Sequence, residues 1–141
     1  KKTLPELKFG NVVLCEHVVL GDNNKVTLIN TYAGDILAAE LPASLMLGFY
    51  GEHIAEADYQ TRNMTVEFVL GGAEQARVEI AMSGGLKGLP AIIAVPFFAL
   101  SVPSAMDIEV FAQADGFART CILRKSISVP PDPAALRRWP A

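Results

Sequence analysis

The chain has 141 residues, 51% of them apolar and 19% charged, against about 25% charged in an ordinary globular protein. That is the length of one domain, enough to bury roughly 68–70% of the unfolded surface without disulfides or metals, and the composition rules out disorder. A net charge of −3 provides no clustered basic surface for a polyanion, which excludes nucleic acid as a partner.

The opening Lys1-Lys2-Thr3-Leu4-Pro5-Glu6 has basic residues but no apolar segment behind them, so it does not read as a secretory signal, and the expected compartment is the cytoplasm. From Asn11 to Leu20 both faces are apolar, as in a central strand covered on each side. Gly21-Asp22-Asn23-Asn24 turns the chain into Lys25 to Tyr32, completing a first hairpin. Gly34-Asp35 then marks a turn into a short apolar piece, Ile36 to Leu41. Pro42 suits only a strand entrance, and Ser44 to Ile54 follows as a strand with Leu45, Leu47 and Phe49 on one face.

The clearest local signal is a period of two. Met64, Val66, Phe68 and Leu70 alternate with polar residues in Arg62 to Leu70, and Val78, Ile80 and Met82 do so in Ala76 to Met82. Gly71 to Gln75 between them supplies the turn, which predicts a hairpin. The region Ser83 to Ser104 holds Pro90, Pro96 and Pro103. Proline cannot donate to a ladder, so Ala91 to Leu100 reads as a bent or edge strand, or two short ones. Its apolar stretch, Leu89 to Val102, is shorter than the roughly 20 residues of a membrane helix and is broken by Pro96, so no span is expected. Asp107 to Gln113, an Asp115-Gly116 turn and Phe117 to Val129 make the last hairpin. Helix signals are confined to one or two turns at Glu52 to Tyr59 and Pro133 to Trp139. Seven to nine strands without βαβ alternation predict an all-β fold, a two-sheet antiparallel β-sandwich with a partly closed barrel as the alternative. A single domain is expected over 1–141, with its core in about 9–129 and a tail in 130–141.

The order Leu14-Cys15-Glu16, Lys25-Val26-Thr27-Leu28-Ile29-Asn30, Tyr32-Ala33-Gly34-Asp35-Ile36 and then a strand opening with proline resembles a family of uncharacterised bacterial β-sandwich proteins. The Gly/Pro-rich apolar run and the final hairpin through Ile127-Ser128-Val129 fit it too, so the likeness covers roughly residues 9 to 129. Its motifs are strand and turn patterns. The resemblance implies a fold and no activity.

Few residues suggest chemistry. Both histidines sit in Glu-His dipeptides, Glu16-His17 and Glu52-His53, and two imidazoles with a carboxylate could bind a metal or exchange protons if their strands were neighbours. Adjacent strand residues point to opposite faces, however, so each Glu is aimed away from its own His, and core histidines are the plainer account. Asp22, Asn23, Asn24 and Asp35 lack the ordered spacing of a calcium loop and read as turn residues. Gly71-Gly72 and Gly84-Gly85 lack the P-loop pattern, and no nucleophile motif is present. Cys15 and Cys121, far apart in apolar surroundings, read as buried free thiols. In the tail, Leu136, Arg137, Arg138 and Trp139 combine residue types enriched at interface hot spots, and Leu136 and Trp139 are expected to dock on the sandwich or on a second copy.

The function expected from these residues is a non-catalytic interaction or assembly module with a protein partner or homo-oligomer and no cofactor. The alternatives are a sandwich binding a small molecule or carbohydrate through its loops and, third, a metal-dependent enzyme using His17 or His53.

Overall fold

The computed structural model describes residues 3–132, which form nine strands. They are β1 (Lys8–Leu20), β2 (Val26–Thr31), β3 (Ile36–Leu37), β4 (Ala43–Ile54), β5 (Tyr59–Leu70), β6 (Ala73–Gly85), β7 (Pro90–Val102), β8 (Met106–Ala114) and β9 (Thr120–Ser128). A four-stranded sheet in the order β2-β1-β4-β7 lies against a five-stranded sheet in the order β3-β9-β8-β5-β6, giving the expected sandwich. Every pairing is antiparallel except β3 with β9.

The period of two decides which side chains fill the space between the sheets. Leu47 and Phe49 of β4 and Ile93 and Leu100 of β7 face Met64, Val66, Phe68, Ile108, Val110 and Ile127, all of them buried. Phe68 sits at the centre, its ring 5.9 Å from Phe49 and 5.0 Å from Phe98. Val78 and Ile80 pack on the same core but are only half-buried, because β6 is a sheet edge.

The β5–β6 hairpin is longer and its turn tighter than the sequence suggested. Gly71 and Gly72 both adopt positive φ, 56° and 86°, which is what a two-residue hairpin turn requires, so Ala73 to Gln75 are freed to join β6. Ala91 to Leu100 is part of one continuous edge strand, bent by an irregularity between Leu47 and Phe49 of β4 and the Pro96-Phe97 segment opposite. Gly48 makes that bend feasible. A Cβ there would lie 2.6 Å from the Pro96 carbonyl oxygen and 3.3 Å from the Val18 nitrogen, so β1 and β7 close in on β4 where a side chain is missing.

Two expectations need correction. Glu52 to Tyr59 forms no helical turn, since Glu52 to Ile54 end β4 and Tyr59 begins β5, and paired backbones on both sides satisfy the groups a helix would have used. β1 is central, but only part of it is covered on both faces: Leu14, Cys15 and Val18 are buried while Val19 and Leu20 are exposed.

Candidate interaction surface

The outer faces of the two sheets differ in chemistry. On the five-stranded sheet Glu67 is held by Arg119 at 3.2 Å and Arg77 at 3.6 Å, Arg77 also pairs with Glu74, and Arg124 pairs with Glu109 at 3.0 Å. Arg119 in turn lies over the Phe111 ring. These hydrogen bonds, with the Arg119 guanidinium foremost, hold the Glu67 carboxyl below the usual carboxylate range. That face is a lattice of paired charges, exposed around a buried Glu67.

The four-stranded sheet is almost free of charge. Its strands carry Lys8, Glu16 and Glu52 as their charged residues, and β2 and β7 carry none. Both carboxylates are tied to neighbours: Glu16 accepts from Asn30, and Glu52 accepts from Asn11 and from the Tyr50 hydroxyl. The bond to Glu52 is the main reason that Tyr50 is pushed up to about 12.

Apolar side chains are exposed instead. His17 is directly opposite Ile29 in the β1–β2 ladder, Val19 follows two residues on, and the His17 ring meets the edge of Phe97 at 4.7 Å. Val19, Ile29 and Phe97 are exposed, Phe97 by 51%, as is Met46 of β4. Asn23, Asn24 and Asn30, all at φ between 52° and 59°, shape the hairpin that presents Val19 and Ile29; asparagine is one of the few residues besides glycine to accept that conformation readily. Behind it, the Tyr32 hydroxyl donates to the Met46 carbonyl at 2.7 Å, and burial pushes this phenol up to about 12.

The surface continues around the free edge of β7. Two cavities of about 360 and 370 Å³ share Ile80 and Ile92 in their walls, one extending to the exposed Leu86 and Leu89, the other to Leu20 and Val26 at the hairpin tip. Of the large apolar side chains that are exposed among the described residues, Leu4, Leu37 and Val129 lie elsewhere; the others belong to this sheet or to the loop leading into β7. A third, larger cavity of about 730 Å³ opens at one end of the sandwich between Pro42, Leu70, Val102 and Met106, with Ser44, Ser101 and Gln75 as its polar side chains.

The histidines do not meet. His17 lies on the exposed patch, whereas His53 is buried, its Nδ1 3.0 Å from the Lys8 carbonyl and its Nε2 3.0 Å from Arg62 Nη1. A carbonyl can only accept, so Nδ1 carries the proton and Nε2 accepts from Arg62. Both ring nitrogens are thus engaged, and burial holds the imidazole below its usual range. Glu16 and Glu52 are bonded as described, and no group of three or more metal-ligating side chains occurs among the described residues. Arg62 went unnoticed in the sequence, yet it organises this region: it holds Glu56 through two hydrogen bonds and stacks between Tyr59 and Phe117. An arginine in an alternating strand reads as solvated, and nothing local marks it otherwise.

Asn23 and Asn24 form the turn, and Asp35 accepts from the Ser126 backbone in the other sheet, which separates the loop oxygens considered for a cation. Cys15 and Cys121 are both free; Cys15 is buried as expected, but Cys121 is exposed, because it pairs with Phe111, which alternation with the buried Val110 and Ala112 puts on the outer face of its sheet. Leu136, Arg137, Arg138 and Trp139 lie outside the described residues. No protein-family model matches the chain, and no curated protein matches it.

Proposed function

We propose that this protein is a non-catalytic interaction or assembly module that binds a protein partner through the uncharged surface of its four-stranded sheet. The single observation carrying the reading is the contrast between the two outer faces: one is laced with ion pairs, and the other exposes Val19, Ile29, Met46 and Phe97 around His17. Several large apolar side chains exposed on one face of a sheet, where the other sheet's outer face carries paired charges, are what a protein-binding surface presents. The likeness to uncharacterised bacterial β-sandwich proteins is compatible with this, since the residues behind it are strand and turn positions. Two free thiols support a reducing compartment such as the cytoplasm.

The test is a photo-crosslinking residue placed at Phe97 and, as a control, at Gln113 on the charged sheet, in cells that make the protein natively. A covalent adduct from position 97 alone is expected. Equal yields, or none from either position, would remove the interaction reading. A second reading, a small-molecule site, draws on the end cavity: its volume of about 730 Å³ lies within the usual range for ligand pockets, and uncharged Ser44, Ser101 and Gln75 would suit a neutral ligand.

A further inference from the structure

We infer that the occupant of the uncharged surface is a second copy of this chain, related by a two-fold axis, with contact centred on Ile29, His17 and Phe97. This rests on the interaction reading above and names its partner.

Three observations favour self-pairing. In a two-fold contact every residue meets the same surface it belongs to, so like charges are brought together wherever the surface carries them. β2 and β7 carry no Lys, Arg, Asp or Glu, and Glu52, which alternation along β4 puts on the same face as Met46, is tied to Asn11 and Tyr50, so a contact centred on His17, Ile29 and Phe97 sets no like charges against each other at its centre. The charged sheet cannot supply the complementary surface, because its arginines and carboxylates already pair within one chain and burying them against apolar side chains would strand them without water.

The third observation is size. Strands 12 or 13 residues long, as in β1, β4 and β7, with the shorter β2 beside them, span roughly 700 Å² of sheet at about 4.8 Å between strands and about 3.3 Å per residue. A standard interface buries about 800 Å² on each partner. The face is therefore of the size a stable dimer needs, whereas a short peptide would leave much of it wet.

The experiment is sedimentation velocity on the purified full chain from about 1 to 200 μM, at low salt and at 1 M salt. The expected result is a shift from the 15.1 kDa monomer to a species of about twice that mass, retained at high salt because no ion pair holds it. Phe97→Asp and Ile29→Lys should each weaken the dimer by at least tenfold, while Gln113→Asp leaves it unchanged. Far-UV circular dichroism and melting of each variant show whether it is folded, and both substituted side chains are exposed, which keeps the fold out of the comparison. A wild-type chain that stays monomeric at 200 μM, or a dimer untouched by both variants, overturns the inference. A monomer that still forms a position-97 adduct of some other mass in cells would refute the second copy and leave the interaction reading standing.

Discussion

Removing the ring of Phe68 should be among the most damaging single changes to this fold. The side chain is fully buried between the sheets and lies 5.9 Å from the Phe49 ring and 5.0 Å from Phe98. Phe→Ala in a closed core costs about 3–5 kcal/mol, a total that covers lost transfer energy, the cavity left behind and the broken aromatic pairs. With two such pairs broken, Phe68→Ala should cost about 4 kcal/mol, a large part of the roughly 5–15 kcal/mol that holds a domain together. Urea unfolding followed by circular dichroism measures it: with a slope of about 2 kcal/mol per molar, the midpoint should fall by about 2 M while the slope stays constant. Phe68→Leu, which keeps most of the volume, should lose less than half as much. A cost below 1 kcal/mol for Phe68→Ala would mean that the sheets do not close on this ring, and the core described here would be wrong.

Gly48→Ala should cost about 1–3 kcal/mol, since the new methyl would meet the Pro96 carbonyl oxygen and both obstacles are backbone; an unchanged melt would show β1 and β7 to be further apart than described. His53 gives a pH dependence with a definite sign. An unfolded histidine titrates near 6.5 and buried His53 below that, so the unfolded chain takes up the proton first. Stability should be full above pH 6.5 and fall as the pH drops from there through the folded value. In His53→Gln this part of the curve should be flat, and parallel melting curves for variant and wild type would refute the assignment. Glu56 and Glu67, both held below 4.5, contribute a separate stabilisation, present above pH 4.5 and lost as the pH falls through their folded values. Finally, a disulfide-exchange reagent should label one thiol of the native protein, Cys121, and reach Cys15 only after denaturation; two thiols reacting equally fast would contradict the burial of Cys15.

The fold was more legible than the site. Met64, Val66 and Phe68 announced a strand because alternation is written in the chain itself, and Gly71-Gly72 announced its turn for the same reason. The proline-bearing edge was also readable, since Pro90 and Pro96 exclude an interior ladder position. The covering of β1 was not. Val13, Cys15, His17 and Val19 share one face in the sequence, but Cys15 is sealed where β1 crosses Gly48, whereas Val19 meets water. That difference depends on residues more than 25 positions away. Arg62 shows the same limit, because its partners His53, Glu56 and Phe117 come from β4, a loop and the turn before β9. An exposed apolar face and a buried one have identical patterns, so the surface proposed to bind a partner could not be told from core.

The order of strands also sets an order of assembly. β5 with β6 and β8 with β9 are neighbours in the chain, so their hairpins close over short loops. β7 must instead return across the whole β5–β6 hairpin to reach β4, from Pro90 back to Ile54. Long-range closures of this kind come late, because the entropy of the loop is spent before any contact repays it. During synthesis the uncharged β7 therefore emerges after its partner strand is already made, and until it docks, the apolar edge of β4 is open to the wrong pairings that exposed strand edges invite.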